Sequence, residues 1–170
     1  MIDKICDVKR SIEAKAYLAA LSLALTFPDI CGKLAYPNVQ KVRERYIKWF
    51  DDYVSQFYSP NEKEYPQFTG EMCYKLRCAF LHAGNAEGIP IDQFELCIDG
   101  CSCFGSTWSD ENDKKHYIRI NVVELCAGIC GAAEQFYTLN SNQLDFSDTH
   151  ITIINICKET EKIEKLNSCQ

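Results

Sequence analysis

Arg77 and His82 stand five positions apart in the segment Arg77-Cys78-Ala79-Phe80-Leu81-His82, just ahead of Ala83-Gly84-Asn85. A guanidinium is always charged and grips phosphate well, and an imidazole gives and takes protons near neutral pH. Together they could cut a phosphodiester without a metal. The neutral imidazole would take the proton of a ribose 2′-hydroxyl, and the guanidinium would hold the phosphate oxygens as charge builds on them. The spacing sets a condition. Five residues of ideal helix turn through about 500°, so the two Cα–Cβ vectors point about 140° apart. The side chains meet if the helix ends near His82 and the imidazole swings back, or if a second copy of the helix supplies the partner in a dimer. The plain alternative is an Arg77 paired with a surface carboxylate and a His82 that caps the helix C-terminus, where a protonated imidazole is favoured.

Other residues could serve the same site. Lys41, Arg45 and Lys48 follow at i, i+4 and i+7, and Lys75 neighbours Arg77, so all four could extend a positive field. Tyr74, three residues before Arg77, could stack on a base or lie in the core, and Asn85 offers an amide beyond the histidine. A solvated basic face is the competing account of the lysines and Arg45, because Arg43 and Glu44 sit among them and Asp51 and Asp52 follow one turn later.

Metal and nucleotide motifs are not expected. Cys97, Cys101 and Cys103 with His116 miss the paired Cys-x2–4-Cys spacing of zinc sites. Asp110, Glu111 and Asp113 read as a solvated acidic loop, because no glutamate closes a calcium frame. Gly100 to Gly105 lacks the Lys-Ser/Thr of a phosphate loop. Neither cofactor nor metal is expected.

The chain of 170 residues suits one unit of ordinary size, and its hydrophobic content allows a proper core. A net charge of -6 argues against a broad nucleic-acid-coating surface and leaves room for a local basic cleft. Met1 to Asp7 is charged and lacks the apolar run of a signal peptide. Ala16 to Phe27, the longest apolar stretch, is only about two-thirds of a membrane span and reads as a core helix. Eleven cysteines then read as reduced thiols in a cytoplasmic chain without a membrane partner.

These residues need elements to position them. Residues 8–27 predict a first helix, rich in Ala and Leu and apolar all round from Tyr17, so central in the fold. Pro28 should end or kink it, with Asp29 capping a short turn before Gly32. A second helix is predicted over 38–58, capped by Asn38, with Val39, Val42, Tyr46, Trp49, Phe50, Tyr53, Val54 and Phe57 on one face. Ser59 to Phe68 reads as a loop. A third helix should start at the N-cap Thr69 and stop at Gly84, with Glu71 in its first turn. Phe94–Ile98 and Tyr117–Ile120 alternate as strands, Asp99-Gly100 signals a turn, and Ser109 to Lys115 reads as a polar loop. A last long helix is predicted over 122–139, where Gly128 and Gly131 suggest a close helix contact and Cys126 and Cys130 suggest packing. Ile151–Ile156 reads as a final β run, and Lys158 to Gln170 as a charged tail.

With the elements in place, Arg77-x4-His82 near a helix end resembles the Arg-x4–6-His signature of the HEPN superfamily (higher eukaryotes and prokaryotes nucleotide-binding). Ser11 to Phe27, followed by Pro28-Asp29-Ile30-Cys31-Gly32, also resembles a family of uncharacterised bacterial proteins with the same Leu76-Arg77-Cys78, Leu81-His82 and Gly84 arrangement. The likeness covers about residues 8–86 and the last long helix.

The predicted elements add up to a mainly α, α+β fold, a helical core with a small antiparallel sheet inserted between the third and last long helices, and the resemblance implies that the core is an antiparallel HEPN-like bundle. The single domain over 1–170 would have its helical core at about 8–86 and 122–140, the β insertion at about 92–121, and the β run and tail at 150–170. It also implies a homodimer that sets two Arg/His motifs in one cleft, RNA as substrate, and metal-independent endoribonuclease activity of the toxin or phage-defence kind. Arg77 would then hold phosphate and His82 would transfer the proton, with an antitoxin or defence-system protein as a candidate partner. Active relatives usually carry a polar residue after the arginine, where this chain has Cys78. The alternative is therefore a non-catalytic module that binds RNA, nucleotide or a protein.

Overall fold

The computed structural model describes residues 1–55, 68–82, 93–98, 105–110 and 115–141. The chain divides into two units, Met1–Asn140 and Ser141–Gln170. The β run expected at Ile151–Ile156 and the tail beyond it lie outside the described residues. So do the Ser59–Asn61 and Pro66 loop signals and the stop expected at Gly84. The described part of the first unit is mainly helical and carries a small sheet, as the sequence implied.

The single helix expected over 8–27 is instead two. α1 (Ile2–Glu13) starts earlier and closes at Ala14. The Ala16 N–H donates to Ser11 O at 2.8 Å and the Lys15 N–H to Ile12 O at 2.9 Å. These are the 6→1 and 5→2 bonds of a Schellman stop. Lys15 takes the left-handed position with φ 58°. That seat usually belongs to glycine, so the sequence gives no sign of the stop. α2 (Tyr17–Ala24) follows, and α3 (Phe27–Ala35) carries Pro28 in its first turn, where the missing N–H costs nothing. Pro28 therefore begins a helix, and α3 runs on through Gly32.

α2 is also less central than its composition suggests. Ala20, Leu21 and Ala24 are buried, while Leu18 is 59% exposed. Taken through the Leu25–Thr26 joint, Tyr17–Ala35 is 19 residues of mean hydropathy 1.4, long and apolar enough by composition to cross a membrane. The run read from the sequence stopped short of this because it ended at Phe27. Core helices pass the same test, and Leu25, Phe27 and Cys31 are buried in this fold.

α4 (Val42–Tyr53) takes Lys41 as its N-cap, three residues later than the expected cap at Asn38. A turn closed by the Val39 N–H on Tyr36 O, 3.0 Å, occupies the intervening chain. α4 packs against α3 and α5 (Gly70–His82). Its inner face buries Tyr46, Trp49, Phe50 and Val54, and Trp49 meets Phe136 edge-on at 6.2 Å. Gly32 allows the α3–α4 contact to be close, because a Cβ there would lie 2.7 Å from Arg45 O.

The sheet orders its strands β1-β3-β2, with β1 at Gln93–Cys97, β2 at Gly105–Asp110 and β3 at Lys115–Asn121. It is mixed. β2 pairs antiparallel with β3, but β1 runs parallel to β3, which corrects the all-antiparallel expectation. Ser109 and Asp110, expected in a polar loop, are instead paired in β2, opposite His116 and Lys115. β2 occupies one edge of β3, and β1 takes the other. There Arg119 Nη2 and Nε donate to Glu95 Oε2 at 2.8 and 3.0 Å.

β3 alternates as read, with Ile118 and Ile120 buried and Arg119 exposed. It leads straight into α6 (Val122–Asn140). The Asn121 amide oxygen accepts from the Val123 and Glu124 N–H groups at 3.0 and 3.2 Å and caps that helix. α6 packs on α1, α2, α3 and α4. Gly131 is not a contact point, since a Cβ there would meet nothing within 4 Å.

Candidate functional site

α5 positions the motif. Its start is fixed twice: Thr69 Oγ1 accepts from the Met72 N–H at 3.3 Å, and Asp51 Oδ1 at the end of α4 accepts from the Gly70 N–H at 2.7 Å. Thr69 is the cap the sequence named, and Asp51 is a second one from another helix. Cys73 and Leu76 bury one face of α5, which sets Tyr74 and Arg77 to the side facing α4 and α3. α5 ends on His82. Its imidazole and Asn85 lie outside the described residues.

Arg77 does not stand in open solvent. Its side chain is 17% exposed, with the guanidinium carbon 5.9 Å from the ring centres of both Tyr46 and Tyr74. Its Nη2 lies 3.9 Å from Asp29 Oδ2, too far for a hydrogen bond but within reach of an ion pair. The other oxygen of the same carboxylate receives Arg45 Nη2 at 3.4 Å. Arg45, 16% exposed, also donates Nη1 to Gln40 O at 3.4 Å. One carboxylate from α3 therefore sits between a guanidinium from α4 and another from α5.

A second group of charges lies beside it. Glu71 receives Arg43 Nη2 at 2.5 Å and Lys75 Nζ at 3.6 Å. Tyr74 links the two groups. Burial raises its hydroxyl, as does the hydrogen bond with the Cys78 thiol, while the charges of Arg77 and Arg43 pull it back down. The Cys78 thiol is thus engaged with a tyrosine one turn away. Tyr46 is wholly buried; its hydroxyl donates to Leu25 O at 3.1 Å and lies 3.4 Å from Cys73 Sγ. Burial, and then Cys73, push that phenol well above its ordinary range, so it stays neutral.

The predicted basic stripe splits. Arg45 joins Arg77 through Asp29, whereas Lys41 is 77% exposed and pairs with Glu44 at 2.7 Å. Lys48 pairs with Asp52 at 2.7 Å and lies over the Tyr36 ring, 4.7 Å from its centre. Two of the three thus follow the solvated-face reading. Lys75 is only 14% exposed and is held by Glu71. Tyr74 packs edge-on against Tyr46 at 5.3 Å, so it is partly core and partly site.

Sequence reasoning placed Asp29 only as a helix-start residue and did not see Tyr46 or Glu71 as neighbours of the motif. Asp29 lies 16 residues from Arg45 and 48 (77 − 29) from Arg77, and no short-range pattern could have joined them.

Among the described residues no three His, Cys, Asp or Glu side chains gather as metal ligands. Cys101 and Cys103 lie outside the described residues. Chemically, the assembled groups suit an anion: two planar guanidiniums aimed at one seat, beside tyrosine faces. Compared with known proteins, the chain matches no family model, no curated protein and no solved structure.

Proposed function

We propose that this chain is a HEPN-like protein that acts on RNA as a metal-independent endoribonuclease, of the toxin or phage-defence kind, working as a cytoplasmic homodimer. The observation that supports this best is the position of Arg77. It is held at the meeting of α3, α4 and α5 beside a second guanidinium, on the helix whose last residue is His82. In this reading His82 takes the 2′-hydroxyl proton, the 2′ oxygen bonds to phosphorus, and the bond to the 5′ oxygen breaks. A protonated imidazole returns a proton to the departing oxygen, and Arg77 holds the phosphate oxygens throughout. The divergence of about 140° between the two positions can be bridged by His82 swinging back from the end of α5 or by a second subunit, and the proposed homodimer takes the second route. An antitoxin or defence-system protein would be the partner that restrains such an activity.

The test is cleavage of single-stranded RNA in EDTA by wild type, Arg77→Lys and His82→Ala, with mass measurement of the free protein in solution. The expected result is a dimer that cuts RNA, with the rate falling about 10²–10⁴-fold in His82→Ala. A folded wild-type protein that leaves RNA intact sinks the nuclease.

One observation favours the second reading, a non-catalytic module that binds RNA, nucleotide or a protein. Arg77 is largely covered and shares Asp29 with Arg45, and Cys78 replaces the usual polar neighbour with a thiol turned to Tyr74. RNA bound but uncut is the outcome that selects it.

A further inference from the structure

We infer that Arg45 and Arg77 form a two-guanidinium seat for an RNA phosphate, and that Asp29 is its resident anion, displaced when the phosphate arrives. The inference rests on the reading of the chain as an RNA-binding protein but not on its cutting RNA. It turns on which members of the trio are fixed. Arg77 lies against two tyrosine rings, and Arg45 is tied to the Gln40 carbonyl; both side chains are about five-sixths covered. Asp29 is about twice as exposed, 31%, and stands in the first turn of α3 on a short side chain. The cations are therefore anchored, while the anion can turn to water with a change of rotamer.

The fit of the carboxylate is also loose. Its two oxygens lie 3.4 and 3.9 Å from the two Nη2 atoms, against about 2.7–2.9 Å for a well-made charge-assisted bond. A phosphodiester presents two non-bridging oxygens on a larger tetrahedral centre and can span two guanidiniums that a carboxylate bridges poorly. Asp29 would then have two effects. It keeps the arginines apart from free anions and from each other's charge, and it sets a threshold that weak anions do not cross.

The test uses the full chain and a 2′-O-methyl oligoribonucleotide, which cannot be cut, followed by fluorescence anisotropy at low salt. Asp29→Asn should bind about three- to tenfold tighter than wild type, because a competing ion pair is removed. Arg45→Ala should bind more weakly, and its slope of log Kd against log salt should fall by about 0.7, the value for one phosphate contact on a single strand. The double variant should lose the gain of Asp29→Asn.

Asp29→Ser serves if the asparagine variant is poorly folded by circular dichroism. A folded Asp29 variant that binds no tighter than wild type overturns the seat, and so does an Arg45→Ala protein with an unchanged salt slope. The two readings fail separately. Tighter binding by Asp29→Asn with no cleavage of ordinary RNA removes the nuclease and keeps the seat. Cleavage that persists while Asp29→Asn gains nothing removes the seat alone.

Discussion

Replacing Gly32 by alanine separates helix propensity from helix packing, because the two push stability in opposite directions. Alanine is favoured over glycine inside a helix by up to about 1 kcal/mol. At position 32 the new Cβ would lie 2.7 Å from Arg45 O, 3.1 Å from Arg45 C and 3.5 Å from Trp49 Cβ. The first two are backbone atoms and cannot rotate away. Restoring an ordinary 3.4 Å contact means moving α3 off α4 by 3.4 − 2.7, about 0.7 Å. Added to the 3.4 Å between Arg45 and Asp29, that shift gives about 4.1 Å and weakens the ion pair. Overpacking strain of about 1–3 kcal/mol, with the weakened pair beside it, outweighs the propensity gain. The expected net loss is about 1–3 kcal/mol, or roughly 2–12 °C in Tm for a chain of this size.

Gly131→Ala is the control. That glycine is exposed in α6 with nothing within 4 Å of a new Cβ, so alanine should stabilise by up to about 1 kcal/mol. Thermal and urea unfolding of the two variants, followed side by side by circular dichroism, reads the difference. A Gly32→Ala protein that melts at or above wild type refutes the close α3–α4 approach and the placement of Asp29 that depends on it.

Three other outcomes follow from the geometry. Lys15→Gly should stabilise by about 0.5–1 kcal/mol, since glycine takes the φ of 58° without strain; a raised urea midpoint at unchanged m-value would show it. Burial pushes the thiols of Cys31, Cys73, Cys126 and Cys130 up to about 12, so at pH 8 they stay protonated. Iodoacetamide with peptide mapping should therefore label the half-buried Cys6, Cys78 and Cys97 in the native protein, and those four only after unfolding.

Asp52 supplies the pH dependence. Burial raises its carboxyl, but hydrogen bonds from Lys48 and Tyr36 and the Lys48 charge outweigh this and leave it below its ordinary 3.8. The folded value lies below the unfolded one, so the contribution is complete above pH 3.8 and fades as pH falls through the lower folded value. Asp52→Asn should cost about 0.5 kcal/mol or less at neutral pH, because the pair is half-exposed and screened. The gap from wild type should narrow as pH falls below 3.8, and a gap that does not narrow in acid would contradict the assignment.

How much of this was legible in the sequence depends on how local the cause was. The Thr69 cap, the body of α5, the alternation of Ile118 and Ile120 and the length of α6 all follow from neighbouring residues, and all were readable. The Schellman stop at Lys15 was hidden because its usual glycine is a lysine. β2 was obscured because Gly105, Ser106, Ser109 and Asp110 carry little strand preference, and its pairing with β3 decides its state. The parallel placement of β1 could not be read from alternation, which is the same for either direction. At the site, the motif itself was legible, but the partners of Arg77 were not. Asp29, Tyr46 and Arg45 come from two other helices, and only packing brings them to it.

The strand order β1-β3-β2 has a consequence for how the chain is made. β1 leaves the ribosome first of the three, yet its hydrogen-bond partner is the last. Gln93 pairs with Tyr117, so 117 − 93, or 24, further residues must emerge before the first rung can close. At a synthesis rate of about 5–20 residues per second, that interval is roughly 1–5 s. Through it Phe94 and Leu96 belong to a strand with no edge to join, the kind of segment that seeks edges on other chains. β2 and β3 can close on each other almost at once. In translation, therefore, the vulnerable moment of this small sheet belongs to β1, and it ends only when β3 appears.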